Sequence, residues 1–264
     1  MVLETARVNA NQTAGGAYRL LVIEAPHIAP QVQPGQFLHL RIPNLDGSVL
    51  RRPFSIFKAD GSTVSVFYKS VGRGTAAMAS LRTGDEISLM GPLGHGFPVQ
   101  NATGFPLLVA GGYGIAALYL VARSLPTRGI LFAGGAAAGE IICLDDFHAL
   151  KWEVRVATDD GSMGDRGLVT VPVDRWLREE RKDRTPEFWA CGPMGMLKAV
   201  GDRAIAGGWN AWLSLDRHMG CGVGACLACV QKIRTPESGV GWARVCKDGP
   251  VFESRSVVWE AAGA

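Results

Sequence analysis

The sequence has no large excess of charge of one sign and no long apolar run. Its 264 residues carry a formal net charge of +3, with 27 Lys and Arg against 24 Asp and Glu. These charges are scattered along the chain, so nothing indicates a nucleic-acid partner. No apolar run approaches the roughly 20 residues of a membrane-spanning helix. The first ten residues lack the apolar core of a signal peptide. We therefore expect a cytoplasmic protein.

The sequence has few histidines that could join its six cysteines in a metal site. The five histidines show no metal-ligand spacing, and His218 is expected to be an exposed loop residue. In the cytoplasm, cysteines are more often ligands or free thiols than disulfides. Cys143 lies in the apolar run ICL at 142–144 and is expected to be a buried apolar residue.

The other informative cysteines lie near the C-terminus. Residues 219–230 read MGCGVGACLACV, and a later segment ends in another cysteine. The four positions are Cys221, Cys226, Cys229 and Cys246. This C-x4-C-x2-C…C spacing is that of plant-type 2Fe-2S clusters, and the glycines between the cysteines let the loop wrap tightly. Structural zinc is the alternative, but zinc sites usually combine a C-x2-C pair with a second close pair.

The first hundred residues predict a small antiparallel β-barrel. Residues 18–24, 36–42 and 63–69 alternate or are rich in β-formers. Asp60-Gly61 is a hairpin signal, and no long helix pattern separates the strands. We expect about six strands in this part of the chain.

Two short motifs in this region suit a cofactor that carries phosphate. In RRPFS, Arg52 offers a bidentate fork to a pyrophosphate, and Ser55 offers a hydroxyl and an N–H to a flavin edge. GRGT at 72–75 predicts a glycine-rich turn that opens a helix, which is an anion site. Each motif alone is also compatible with an ordinary strand or turn, so the surrounding architecture decides between the two interpretations.

From about residue 101 the pattern becomes the strand–glycine–helix alternation of an open parallel α/β sheet. An apolar strand at 105–110 leads into GGYG and then a helix to about Ser124. Gly112, Gly114 and Ala117 fit the dinucleotide fingerprint G-x-G-x-x-A. Asp159-Asp160 predicts a turn.

The choice between NAD and NADP depends on the segment after the second strand of this sheet. No Arg or Lys lies between Ala133 and Glu140 to meet a 2′-phosphate, whereas Glu140 is able to accept a hydrogen bond from a ribose hydroxyl. NAD is therefore favoured over NADP. A solvated loop carboxylate is the alternative interpretation of Glu140.

Taken in order, four motifs resemble the ferredoxin–NADP reductase superfamily: RPFS at 52–55, GxGT at 72–75, GGYG at 111–114 and CGPM at 191–194. With the cysteine segment and RVCKDGPVF at 244–252, the chain resembles the iron–sulfur electron-transfer subunits of type B, NAD-linked dihydroorotate dehydrogenase. The resemblance implies three parts: an FAD-binding β-barrel at 1–100, an NAD-binding α/β domain at 101–212 and a 2Fe-2S domain at 213–264.

The resemblance and the motifs together predict roles for individual residues. FAD contacts are expected from Arg52, Pro53, Phe54, Ser55, Phe67, Tyr68, Lys69, Gly74 and Thr75. NAD contacts are expected from Gly111, Gly112, Gly114, Glu140, Cys191, Gly192, Pro193 and Met194. Ser55 and Cys191 are expected to position the hydride transfer, and the four cysteines to ligate the cluster. Phe54 is a departure, because the family often has an aliphatic residue there.

The partner implied by the resemblance is a separate FMN-containing subunit that oxidises dihydroorotate to orotate. The family assembles two chains of each kind and passes electrons through cluster and FAD to NAD+ in de novo pyrimidine biosynthesis. Two alternatives remain open at this point. One is an NAD(P)H:acceptor reductase, stand-alone or linked to a hydrogenase or oxygenase. The other is a non-enzymatic redox sensor.

Overall fold

The computed structural model describes residues 1–43, 45, 47, 50–235 and 239–259. The first part is a curled antiparallel sheet of seven strands in the order β4-β3-β7-β1-β2-β6-β5. Its strands are β1 (Val2–Thr13), β2 (Tyr18–Glu24), β3 (Phe37–Arg41), β4 (Arg52–Ser55), β5 (Lys58–Asp60), β6 (Thr63–Lys69) and β7 (Glu86–Leu93).

This sheet confirms the predicted antiparallel barrel, as a curled sheet with β4 and β5 at its two edges. Side chains of β7 alternate between exposed or half-buried and fully buried positions, which is the period of a strand with one face on a core. Asp60 pairs with Thr63 across a two-residue turn, so the predicted hairpin is present. A short helix, α1 (Arg73–Ala79), connects β6 to β7.

The second part is a sheet in the order β11-β10-β9-β8-β12-β13-β16. All its pairs are parallel except β13 with β16. Its strands are β8 (Phe105–Gly111), β9 (Ile130–Gly135), β10 (Glu153–Thr158), β11 (Asp165–Arg166), β12 (Pro186–Cys191), β13 (Asn210–Ser214) and β16 (Val251–Glu253). Its helices are α2 (Gly114–Ser124), α3 (Leu144–Ala149), α4 (Thr170–Arg175) and α5 (Met194–Gly207).

The cysteine-rich part carries a two-stranded antiparallel sheet, β14 (Val230–Ile233) with β15 (Gly241–Arg244). The chain then returns to the second part, because β16 pairs with β13. Strand β13 also runs across the predicted boundary at residue 212. The predicted second and third domains therefore share one sheet. The division into three domains stays a prediction.

Side chains of the first two parts interlock. Leu120 of α2 belongs to the core of the curled sheet, and Tyr119 packs on Phe57 with ring centroids 4.9 Å apart. Lys58 Nζ lies 2.5 Å from an Asp146 carboxylate oxygen. These contacts fix the two sheets relative to each other, so the cleft between them is a defined site. No helix in the described part of the chain is long and apolar enough to cross a membrane.

Candidate active site and cluster loop

A cleft of about 1080 Å³ lies between the curled sheet and the α/β sheet. This volume slightly exceeds the roughly 300–1,000 Å³ of small-molecule sites, so there is room for two ring systems together. The predicted flavin contacts that line it are Pro53, Phe54, Ser55, Phe67, Tyr68, Lys69 and Thr75. The predicted dinucleotide contacts that line it are Gly111, Gly112, Gly114, Glu140, Cys191, Gly192, Pro193 and Met194.

Edge strand β4 presents the RPFS motif to this cleft. It pairs with β3 on one side only, with Phe37 opposite Ser55 and Leu40 opposite Arg52. Across the cleft wall the Phe54 ring meets the Tyr68 ring edge-to-face, at a centroid distance of 6.3 Å. Ser55 is exposed. An edge strand leaves polar backbone groups available to a ligand, which suits a strand that meets a flavin edge.

Arg52 and Gly74 do not line the cleft but lie against each other. A Cβ on Gly74 would collide with the Arg52 guanidinium, so the glycine makes room for the arginine beside the first turn of α1. The Arg52 Nη1 also donates to the Leu50 carbonyl at 3.0 Å. The structure thus brings together the two motifs that the sequence assigned to a pyrophosphate.

Thr75 holds the turn before α1. Its Oγ1 accepts hydrogen bonds from the backbone N–H groups of Val71 at 2.9 Å and Gly72 at 3.2 Å. The hydroxyl also lies 3.1 Å from the Gly72 carbonyl, to which it donates. A side chain that satisfies N–H groups at a helix start stabilises that start. Thr75 therefore shapes the predicted anion site as well as lining the cleft.

The glycine-rich loops after β8 and β12 touch each other where the order of the sheet reverses. A Cβ on Gly111 would lie 2.5 Å from Pro193 Cδ, and one on Gly192 would lie 2.8 Å from Gly111 N. A Cβ on Gly114 would collide with the Cys191 carbonyl. Open α/β sheets bind ligands at such a reversal, outside the carboxyl ends of the strands. Both predicted dinucleotide loops thus meet at the expected place.

Cys191 faces the cleft from the end of β12. Burial raises the pKa of its thiol to about 12, although a hydrogen bond with Ser214 opposes the shift. The thiol is therefore protonated at neutral pH. Ser55 and Cys191 line the same cleft, as hydride positioning requires, although their predicted role itself stays a prediction.

The structure gives Glu140 a partner that the sequence did not predict. Its Oε1 lies 2.6 Å from Lys69 Nζ, across the cleft on β6. A hydrogen bond from Lys69 lowers the pKa of Glu140, and the same bond raises the pKa of Lys69. The solvated-carboxylate interpretation is therefore incomplete, and the ribose role stays a prediction. Two residues predicted to hold different cofactors form one ion pair.

Sequence reasoning missed several residues that line the cleft. Tyr113 lies inside the GGYG motif, and its hydroxyl hydrogen-bonds Asp216, which follows β13 two strands away in the same sheet. Burial raises the pKa of Asp216, while His218 and the Tyr113 hydroxyl oppose the shift. The tyrosine was visible as the bulky residue of a glycine-rich loop. Asp216 has no local signal, because only the return of the chain from β13 brings it to the cleft.

The cluster loop arranges its four thiols as two pairs. The N–H of Cys226 lies 3.4 Å from Cys221 Sγ, and the N–H of Cys246 lies 3.4 Å from Cys229 Sγ. The side chains within each pair also hydrogen-bond each other. Two thiol pairs suit two irons with two protein ligands each. Within the described residues, no group of three or more potential ligands is close enough together to hold a metal ion.

Backbone N–H groups of the loop turn towards sulfur. Cys221 Sγ receives the N–H groups of Val223 at 3.5 Å, Ala225 at 3.2 Å and Cys226 at 3.4 Å. Burial alone would raise the pKa of Cys221, but these donors outweigh it and lower the pKa to about 6. A loop that stabilises thiolate in this way is suited to an anionic iron–sulfur cluster.

A buried histidine of the curled sheet lies beneath this loop. His39, on β3, has no exposed surface, and a Cβ on Gly222 would lie 2.5 Å from its Nδ1. Burial and the positive charge of Arg51 lower the pKa of His39 to about 4, so the ring is neutral. The approach of the loop to the ring depends on Gly222, whose φ is +73°.

Other predictions about single residues have mixed outcomes. His218 is exposed and Asp159-Asp160 form a turn, as predicted. Cys143 is half-buried, at a φ of 49° before α3, and packs against an apolar core. Burial raises the pKa of its thiol. The prediction that Cys143 is a buried apolar residue therefore holds only in part.

Comparison with known proteins agrees with this geometry. The family model for the iron–sulfur cluster binding domain of dihydroorotate dehydrogenase B matches residues 216–258, which include all four cysteines. The dihydroorotate dehydrogenase B (NAD(+)) electron transfer subunit of Geobacillus thermodenitrificans is 38% identical over 90% of this chain and 91% of its own length. The corresponding Bacillus cereus (strain Q1) subunit is 34% identical over 95% of this chain and 96% of its own length.

The chain belongs to the family of dihydroorotate dehydrogenase B electron transfer subunits. Solved structures agree on the fold. A structure described as NADH-dependent reduced ferredoxin-NADP oxidoreductase, in work on electron bifurcation, matches with a TM-score of 0.84 and 28% identity, over 97% of this chain and 90% of that chain. A Neisseria gonorrhoeae ferredoxin NADP+ reductase with bound FAD and NADP matches with a TM-score of 0.64 and 18% identity, over 78% of this chain and 92% of that chain.

Proposed function

We propose that this chain is the electron-transfer subunit of an NAD-linked dihydroorotate dehydrogenase. It takes electrons from a partner subunit that oxidises dihydroorotate and delivers them to NAD+. The observation that carries the proposal is the combination of two paired thiol sets with a cleft lined by both flavin and dinucleotide motifs in one chain. The products of the whole reaction are orotate, NADH and one proton.

The cofactors supply the redox chemistry: a flavin exchanges two electrons as hydride or one at a time, and a 2Fe-2S cluster exchanges one. The chain binds and orients these groups. Arg52 offers its guanidinium to the pyrophosphate, and Ser55 offers its exposed hydroxyl to the edge of the flavin ring. Phe54 and Tyr68, in edge-to-face contact, form an apolar wall that keeps water from the ring system.

The dinucleotide half of the cleft positions a nicotinamide. Glycines at 111, 114 and 192 let the two loops close on each other, which leaves backbone groups at the carboxyl ends of β8 and β12 for a ligand. The protonated Cys191 thiol and the Ser55 hydroxyl are small polar groups on opposite walls. They orient the nicotinamide against the flavin and neither loses a proton. The absence of Arg and Lys between Ala133 and Glu140 favours NAD.

The cluster loop is the surface where the partner docks. Cys226 is exposed, and Leu227 beside it is 61% exposed at a φ of +58°. Trp242 on β15 is 62% exposed. Exposed apolar side chains next to a redox centre suit a partner that must bring its own cofactor close. We propose an FMN-containing catalytic subunit as this partner, in a cytoplasmic assembly of two chains of each kind.

Replacing Cys226 with Ser tests the proposal. The variant is expected to lose cluster absorbance and dihydroorotate–NAD activity with the partner present, while FAD stays bound and NADH still reduces it. The reason is that Cys226 belongs to the cluster loop and not to the cleft. Cys143→Ser is the control, because that thiol lies far along the chain from the loop and should leave the cluster intact. Full dihydroorotate–NAD activity without the cluster would contradict the proposal.

Wild-type chain measured in the same assay distinguishes the proposed function from the two alternatives. A reductase for another acceptor would show NADH-dependent reduction of flavin and cluster in the wild-type chain, but no electron transfer from any dihydroorotate-oxidising subunit. A redox sensor would bind FAD without being reduced by NADH.

A further inference from the structure

His39 occupies the place where the flavin-binding sheet meets the cluster loop. It pairs with Pro53 of the RPFS strand in the register of β3 and β4. Phe37, two residues earlier on the same face of β3, lines the cleft. The His39 ring itself reaches the cluster loop at Gly222. Strand β3 therefore reaches the cleft through Phe37 and the cluster loop through His39.

The ring is polar but makes no hydrogen bond of ordinary geometry among the described residues. Nδ1 and Nε2 are both buried without such a bond, and the side chain is fully buried. Polar backbone groups of Cys221 and Arg51 lie close enough to the ring to oppose the lowering of its pKa by burial. Buried polar groups in proteins are almost always hydrogen-bonded, and an exception calls for an explanation such as a redox role or an ion. A leucine of similar size would fill this space without burying a polar group.

The surroundings of the ring supply the explanation. Gly222 follows the ligand Cys221 directly, and its lack of a Cβ is what allows the imidazole to approach. A neutral imidazole carries one N–H donor. Donors directed at an iron–sulfur centre stabilise its more negative, reduced form and so raise its reduction potential.

We propose that His39 is a positioning residue for the iron–sulfur cluster, whose ring N–H, directed at the loop beside Cys221, raises the cluster's reduction potential. The inference rests on the assignment of the four cysteines as cluster ligands under the proposed function. It adds a residue from the flavin-binding sheet to the set that controls electron transfer. His39 acts through the loop and does not itself ligate iron.

The test compares His39→Leu, which removes the donor, with His39→Gln, which keeps an N–H near the same place. The midpoint potential of the cluster is measured by an EPR-monitored redox titration of each FAD-loaded chain. We expect His39→Leu to favour the oxidised cluster about tenfold, which is a potential about 59 mV lower for one electron. His39→Gln should recover most of that shift. Leu40→Val, a core change on the opposite face of β3, is the control and should leave the potential unchanged.

Three results would overturn the inference. One is a wild-type potential in His39→Leu. Another is an equal shift in the Leu and Gln variants, which would mean packing alone. The third is loss of the cluster from both His39 variants while Leu40→Val keeps it, which would make His39 an assembly residue. A wild-type chain that holds no cluster would instead overturn the cluster assignment, and this inference with it.

Discussion

At the scale of single residues, a few side chains define the two sites: the paired cysteines of the cluster loop, Glu140 with Lys69 across the cleft, and His39 beneath the loop. The spacing of the four cysteines predicts a ligand set, and the structure places them as two pairs, as a two-iron site would need. Their ligation of a cluster stays a prediction. Glu140 lines the cleft, as its place after the second strand of the α/β sheet suggests. Its pairing with Lys69 was not predictable, since the two are 71 positions apart. His39 gave no signal at all, because its importance comes from the loop that covers it.

Arg52 is the residue whose predicted role is simplest to test. Arg52→Ala is expected to weaken FAD binding by about 1.5–3 kcal/mol, the contribution of a charged hydrogen bond. Flavin affinity measured by fluorescence titration checks this value.

The neighbouring arginine provides a matched control for this change. Arg51 donates to Ser88 of β7, with Nη1 2.9 Å from the carbonyl oxygen and Nη2 2.9 Å from Oγ. It therefore braces the sheet from within. Arg51→Ala should lower stability and leave FAD affinity nearly unchanged. Normal flavin affinity in Arg52→Ala would reject the pyrophosphate assignment.

At the scale of elements, strands and loops were predictable where local pattern decides them. Alternation in β7 and the glycines after β8 carry their own signals. The pairing of β16 with β13 could not be predicted. Strand β16 has only three residues, and its alternation does not indicate which distant strand it pairs with. The closeness of the loops after β8 and β12 follows from sheet order, which single-strand patterns do not contain.

The cluster loop offers a matched pair of glycines for a prediction at this scale. Gly222 and Gly224 both have a positive φ, of +73° and +83°, so alanine costs about 1–2 kcal/mol at either position. Only at position 222 would the new Cβ meet a buried ring, 2.5 Å from His39 Nδ1. At position 224 it would meet the flexible Lys247 side chain at 2.8 Å.

Gly222→Ala is therefore expected to reduce iron content well below that of Gly224→Ala, when both are purified anaerobically and assayed for iron and acid-labile sulfide. FAD content should be similar in the two variants, because the cleft lies elsewhere. Equal iron contents would mean that the His39 ring moves aside for the new Cβ and does not hold the loop in place.

At the scale of the whole molecule, the arrangement of cofactor sites determines what the chain can do. The cleft lies between two sheets, and the cluster loop reaches the surface beside β3 of the flavin-binding sheet. The order of sites was implied by the family resemblance, whereas the contact through His39 required the structure.

The proposed docking surface gives a prediction at this scale. Leu227→Asp should weaken binding of the catalytic subunit at least tenfold, because it places a charge in an apolar contact. Aspartate tolerates the positive φ of this position better than most residues, so folding should be spared. Ile205→Asp on α5, where the side chain is 46% exposed, is the control and should bind normally. Equal affinities in a pull-down titration would place the interface elsewhere.

The most direct test of the account is anaerobic reconstitution of the FAD- and cluster-loaded chain with an FMN-containing dihydroorotate dehydrogenase subunit of type B. NADH formation is followed by the absorbance of reduced nicotinamide after addition of dihydroorotate and NAD+. We expect NADH formation that requires both proteins and both substrates. NADH formation by the catalytic subunit alone, or none with a chain whose flavin and cluster are reduced by NADH, would contradict it.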